Sequence, residues 1–241
     1  MKTLAVIPAR YASTRLPGKP LVKIGGVPLV VRVLDNVKAC RSVDRVVVAT
    51  DDERIAEAVR GHGAEAVMTP PELPSGGDRV AFVAKEIEAD YVVNVQVDDP
   101  LVGADMIDPL VAALEADSSV MLALLAKRIE KPEEVQAKDV VKVVFAQDRR
   151  ALYFSRSPIP YPRNAGGIWY KHIGPYGWRR DFLLEFSKWE QTPLERTESL
   201  EMLRVLEKGY PIRCVEALRD TIEIDTPEDV IKIEKYLADN K

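Results

Sequence analysis

Arg10, Arg15 and Lys19 stand close together in the segment Pro8-Ala9-Arg10-Tyr11-Ala12-Ser13-Thr14-Arg15-Leu16-Pro17-Gly18-Lys19-Pro20. An arginine fork and a lysine point charge neutralise a polyphosphate, and the free backbone N–H groups of an irregular loop cradle the remaining oxygens. Adjacent carboxylates follow in Asn94-Val95-Gln96-Val97-Asp98-Asp99-Pro100, and another acid in Ile224-Asp225-Thr226-Pro227-Glu228-Asp229. Hard oxygen donors of this kind suit Mg²⁺, which takes one or two carboxylates together with substrate phosphate. Each feature also has a plain structural reading: a solvated basic loop, an Asp-rich surface turn, and a helix cap at Asp225. The basic segment matches neither the Walker A spacing nor Gly-x-Gly-x-x-Gly, which argues against a P-loop ATPase and a Rossmann dehydrogenase.

The elements that must position these residues are legible from periodicity. Runs at 4–7, 45–49, 91–95 and 120–125 are almost continuously apolar, as expected of strands covered on both faces. Between them, Leu29, Val30, Val33, Leu34 and Val37 recur at helical spacing after Pro28; so do Ile55, Ala58 and Val59, and then Val80, Val83, Ala84 and Ile87. Alternation of this kind predicts an α/β fold with a mostly parallel sheet and helices on both faces. Ligands of such sheets lie beyond the carboxyl ends of the strands, so the loops starting at Pro8, Thr50 and Gln96 are the expected chemical sites.

From Val140 the pattern changes. Segments 140–145 and 151–155 flank Gln147-Asp148-Arg149-Arg150 as a hairpin, and Pro158, Pro160, Pro162 and Gly166-Gly167 exclude regular helix from the connection that follows. Residues 140–178 therefore read as an antiparallel arm within one domain spanning 1–241. Helices are expected over 179–189, 195–208 and 227–238, the last capped by Thr226 with Pro227 in its first turn.

Bulk properties narrow the class. With 241 residues, 46% of them apolar, the chain can bury one substantial core. Its apolar runs fall far short of the roughly 20 residues that cross a bilayer, and the start lacks a secretory pattern, so a cytoplasmic protein without a membrane association is expected. A net charge of −4, spread along the chain, argues against a nucleic-acid partner. Cys40 and Cys214 stand apart from each other and from any His, which predicts buried reduced thiols, and His62 reads as structural.

The segment from Ile7 through Leu21 resembles the signature loop of the 3-deoxy-manno-octulosonate cytidylyltransferases, also called CMP-Kdo synthetases. The likeness continues in order through Val48-Ala49-Thr50-Asp51-Asp52, Pro74-Ser75-Gly76, Asp78-Arg79, Tyr153-Phe154-Ser155-Arg156-Ser157-Pro158-Ile159-Pro160, Lys171-His172-Ile173-Gly174, Glu198-Ser199-Leu200-Glu201 and Asp225-Thr226-Pro227-Glu228-Asp229. It implies a Rossmann-like, GT-A-like nucleotidyltransferase sheet and a Mg²⁺-dependent homodimer. The implied reaction joins CMP from CTP to the acidic 3-deoxy sugar Kdo, expels pyrophosphate and leads toward lipopolysaccharide or capsule. By position, Arg10, Arg15 and Lys19 hold the triphosphate, with Pro8, Ala9, Ser75 and Gly76 on the CTP side. Asp98 and Asp225 hold the metal, while Gln96, Arg156, His172, Tyr176 and Glu201 surround the sugar acid.

The chain departs from the family pattern at Val97, Gly77, Met202, Glu223 and Pro175, where the family usually carries Gly, a hydroxyl residue, Gln, Gly and an apolar residue. Because these changes gather on the sugar side, a cytidylyltransferase for a related acid, such as 8-amino-Kdo or a nonulosonate, is an alternative reading. A non-catalytic paralogue that binds CTP or sugar acid is a third.

Overall fold

A computed structural model describes residues 1–13, 15–164 and 166–239; Thr14 of the basic loop, Ala165 and the last two residues lie outside that range. The first half builds the parallel part of the sheet. Strand β1 (Thr3–Ala9) is buried along its whole length and is followed by a single 3₁₀ turn (Lys19–Leu21), the hairpin β2 (Lys23–Ile24) and β3 (Val27–Pro28), and helix α1 (Leu29–Lys38). Then come β4 (Arg45–Thr50), α2 (Glu53–Gly61), β5 (Glu65–Met68), α3 (Gly76–Glu86) and β6 (Tyr91–Asn94). β1 pairs in parallel with both β4 and β6, and β4 with β5.

The second half begins with α4 (Ala104–Ala116), β7 (Leu122–Arg128) and the short α5 (Pro132–Gln136). It continues through β8 (Lys142–Phe145), β9 (Ala151–Ser155), β10 (Tyr170–Arg179), α6 (Arg180–Phe186), α7 (Pro193–Glu198), α8 (Glu201–Glu207), β11 (Ile212–Glu216) and α9 (Pro227–Asp239). The sheet order is β11-β7-β10-β6-β1-β4-β5. β10 runs antiparallel between β6 and β7, and the β8–β9 hairpin joins its first residues.

Alternation along β1 divides the core between the two faces of the sheet. Ala5 and Ile7 pack with residues of α1, α2 and α4, whereas Leu4 and Val6 pack with residues of α3, α6 and α8. The expected helix over 195–208 is two helices, because Ser199 takes a left-handed φ of 54° and turns the chain between α7 and α8. That turn brings Glu201 to the first position of α8. The predicted strand over 120–125 begins at Leu122 and extends to Arg128, after Val120 closes a turn onto the Asp117 carbonyl. Helix α4, which contains Pro109, was not anticipated from the sequence pattern.

Candidate functional site

The basic loop leaves the carboxyl end of β1. Gly18, at φ 68°, donates its N–H to the Tyr11 carbonyl (3.1 Å), and a Cβ at this position would stand 3.1 Å from the Tyr11 ring, so the turn favours glycine twice over. The 3₁₀ turn that follows carries Lys19 back toward the sheet. Its ammonium lies 2.8 Å from Asp98 Oδ2 and 3.1 Å from Asp225 Oδ1, and Arg15 reaches Asp225 Oδ2 at 3.0 Å. The Ile224 N–H donates to the Asp98 carbonyl (2.8 Å), fastening the two acidic segments to each other. Burial disfavours the charge on Lys19, but the two carboxylates outweigh it and hold its pKa above the ordinary value.

Arg10 turns away from this pair and donates to the Leu73 carbonyl. Just beyond, Ser75 caps α3: its hydroxyl accepts from the Asp78 N–H (3.1 Å) and donates to the Asp78 carboxylate (2.7 Å). Gly76 faces Pro8, where a Cβ would come within 3.5 Å of the ring. Arg79 is fully buried, pairing with Asp51 at 2.8 Å and donating to the Thr69 hydroxyl, so it ties the ends of β4 and β5 to α3.

Two neighbouring cavities open beside the acidic pair, of about 510 and 330 Å³, sharing Gln96, Val141, His172 and Tyr176 as walls. The larger is charged: Arg15, Asp98, Arg156, Lys171 and Asp225 are among its lining residues. The smaller is bounded by Gly76, Gly77, Phe154 and Glu201. All five residues expected on the sugar side therefore converge, although they come from four separate parts of the chain.

Arg156 is held by carbonyls: Nε donates to Glu198 O (2.8 Å) and Nη1 to Lys138 O (3.1 Å). Beneath it, the fully buried Lys142 donates to the carbonyls of Ala137, Val140 and Arg156 at 2.7, 2.6 and 2.6 Å. This buried ammonium anchors the Arg156 backbone, a role that nothing in its sequence neighbourhood announces. His172 stacks on Tyr176 with ring centres 5.1 Å apart and meets Phe154 edge-on at 5.9 Å. Burial pushes the imidazole down to about 4, so it is neutral at physiological pH. Burial, reinforced by Glu201, Glu223 and Asp98, raises Tyr176, and burial raises Glu201 against the opposing pull of Arg204.

The family departures fall in distinct places. Val97 is buried in the core and lines neither cavity, whereas Met202 and Gly77 border the smaller one. A Cβ on Gly77 would stand 3.2 Å from Glu201 Oε2, so its absence leaves room for that carboxylate. Gly174 and Pro175 form a register shift in β10, and a Cβ at Gly174 would lie 3.2 Å from the Gln96 side chain. Glu223 lines the larger cavity and is pushed up to about 7 by burial and by its acidic neighbours Asp98, Asp225 and Asp99. Asp99 is likewise raised to about 7 by burial. Cys40 and Cys214 are buried free thiols, and His62 ends α2 with its ring 2.9 Å from Asp35. Among the described residues no cluster of three or more His, Cys, Asp or Glu is arranged as a metal cage, and no helix is long and apolar enough to cross a membrane.

Comparison with known proteins matches residues 4–222 to the cytidylyltransferase family. A 3-deoxy-manno-octulosonate cytidylyltransferase of Geobacter metallireducens is 46% identical over 250 residues, covering 99% of this chain and 98% of its own. One from Fusobacterium nucleatum is 43% identical, covering 100% and 98%. Among solved structures, a CMP:2-keto-3-deoxy-manno-octonic acid synthetase complexed with CTP superposes with a TM-score of 0.96 at 40% identity over the whole of both chains. A 4-diphosphocytidyl-2C-methyl-D-erythritol synthase from Anaerococcus prevotii, at TM-score 0.64 and 15% identity, shares the fold.

Proposed function

Because the chain belongs to the family of 3-deoxy-manno-octulosonate cytidylyltransferases, we propose that it transfers CMP from CTP to the anomeric hydroxyl of Kdo. The observation that carries this reading is the meeting of Arg15 and Lys19 with Asp98 and Asp225 at the mouth of a cavity that also presents Arg156. Cations for a triphosphate, acids for a metal and a fork for a sugar carboxylate thereby border one space.

In the reaction, the anomeric oxygen forms a bond to the α-phosphorus, the bond from that phosphorus to the α–β bridging oxygen breaks, and pyrophosphate leaves with the electron pair. The hydroxyl proton passes to solvent. Such a transfer depends on positioning and on charge neutralisation rather than on a covalent nucleophile. Arg10, Arg15 and Lys19 hold the triphosphate, and Arg156 orients the sugar through its carboxylate. Neutral His172, stacked on Tyr176, forms a rigid uncharged wall beside the sugar. Asp98 and Asp225 fit Mg²⁺, since both are hard oxygen donors and one ammonium already spans the two carboxylates. Mg²⁺ bound there supplies neutralisation of the charge that develops on the phosphates.

A homodimer is part of this reading. Tyr161 on the proline-rich connection is 82% exposed and Ile168 is 50% exposed, an apolar surface that a second copy would cover. The product would feed lipopolysaccharide or capsule synthesis. The test is pyrophosphate release with Mg²⁺, crossing CTP, UTP, ATP and GTP against Kdo, 8-amino-Kdo and N-acetylneuraminic acid. Fast release with CTP and Kdo alone is expected. Preference for another acid would transfer the assignment to that acid, and no release with any acid would leave a binding protein.

A further inference from the structure

Asp225 is carried by the irregular segment 217–226, which links β11 to α9. Outside helix and strand, such a stretch is fixed by the particular bonds that tie it to its neighbours. Arg219 holds the near end against α4, donating to Asp105 at 2.6 and 2.8 Å and to the Leu101 carbonyl. At the far end the Ile224 N–H meets the Asp98 carbonyl at 2.8 Å. Between these two points, Asp220 Oδ2 accepts from the ammonium of Lys171 at 2.7 Å, and Asp220 Oδ1 accepts from the Thr221 N–H at 2.9 Å. The carboxylate that Lys171 grips therefore also shapes the backbone leading to Asp225.

Lys171 is well placed to be an anchor. Its residue in β10 is paired with Lys127 of β7 on one side and with Lys142 of β8 on the other, so the side chain starts from a backbone fixed in the sheet. The ammonium also donates to both carboxylate oxygens of Glu134 on α5, at 3.0 and 2.9 Å, and the side chain is only 9% exposed. An ammonium has three hydrogens. Glu134 and Asp220 take all three, so Lys171 borders the larger cavity with no donor left for a substrate carboxylate. Its work is directed at the protein.

We propose that Lys171 is a positioning residue for Asp225: by clasping Asp220 to Glu134, it fixes the segment that brings the second acid beside Asp98. This inference rests on the metal role given to Asp98 and Asp225 above. Without the clasp, the stretch from 220 to 223 is held only from its two ends, and Asp225 meets Asp98 for a smaller fraction of the time.

The experiment compares the full wild-type chain with Lys171→Met, Asp220→Ala and the double variant. Its first readout needs no metal: exchange of the Ile224 amide with solvent deuterium. Loss of the charge-assisted bond should quicken that exchange about tenfold in each single variant and no further in the double, since both changes remove the same clasp. Lys171→Arg keeps the charge and should return the exchange to within about threefold of the wild type. The second readout is pyrophosphate release at saturating CTP and Kdo. There the Mg²⁺ concentration for half-maximal rate should rise about tenfold in Lys171→Met, while KM for Kdo at saturating Mg²⁺ stays within about twofold. Unchanged exchange, additive effects in the double variant, or a raised KM for Kdo with an unaltered Mg²⁺ requirement overturns the assignment; the last result would make Lys171 a sugar ligand instead. Should Lys171→Met not fold, Asp220→Ala carries the same comparison. If the wild type releases no pyrophosphate with Kdo, the parent reading fails, and the exchange rates alone decide whether Lys171 holds the segment.

Discussion

On the proposed triphosphate side, Arg10, Arg15 and Lys19 come from one loop at the end of β1, whereas the sugar side collects Gln96, Arg156, His172, Tyr176 and Glu201 from the ends of β6 and β9, from β10 and from α8. Within the first group Arg15 is 66% exposed at its side chain and pairs directly with Asp225, whereas Lys19 is 12% exposed and bridges Asp98 and Asp225. The second is braced from below, by Lys142 under Arg156, by Phe154 against His172 and by the helix break at Ser199 that aims Glu201. A polyphosphate brings its own charge and is held by cations gathered on one loop, while a sugar must be read by groups fixed in place. The fold accordingly assigns a loop to the first task and packed elements to the second.

Four changes would break or sharpen this contrast. The largest effect is expected from Asp98→Asn, which removes half of the carboxylate pair beside Lys19; pyrophosphate release should fall by about a thousandfold. An unchanged rate would take Asp98 out of the metal role. Next is Glu195→Ala beneath the sugar side. Glu195 is 2% exposed and receives Arg204 through bonds of 2.7 and 2.5 Å, so its removal strands a buried guanidinium. Denaturant unfolding should show a loss of about 3–5 kcal/mol, and a loss below about 1 kcal/mol would mean that the pair is screened by water.

Arg156→Ala should act on one substrate only, raising KM for the sugar acid by about tenfold and leaving that for CTP unchanged. An equal rise for both would point to collapse of the network that joins Arg156 to Glu198 and Lys142. The last concerns His172. Its folded value, about 4, lies below the ordinary 6.5, so between the two the unfolded chain binds a proton that the folded chain refuses. Stability present above 6.5 is therefore lost as pH falls toward 4. Between about pH 7.5 and about pH 5, linkage removes about 2 kcal/mol, so the wild type should lose about 4–8 °C more in Tm than His172→Asn. Equal losses would show that the imidazole takes up its proton in the folded state.

The amino-acid sequence alone determined the parallel strands at 4–7, 45–49 and 91–95 and the amphipathic helices between them, because apolar periodicity is a local property. It also marked the basic loop, since Arg10, Arg15 and Lys19 are near neighbours in the chain. Asp225 remained open to a plain capping role on sequence grounds, and only the backbone bond from Ile224 to Asp98 and the bridging Lys19 place it beside Asp98. The insertion of β10 between β6 and β7, the split of the predicted helix at Ser199 and the buried roles of Arg79 and Lys142 were likewise decided by tertiary structure. The reason is physical: a strand's partners and a buried polar group's hydrogen bonds come from residues far away in the chain, and local pattern carries no record of them.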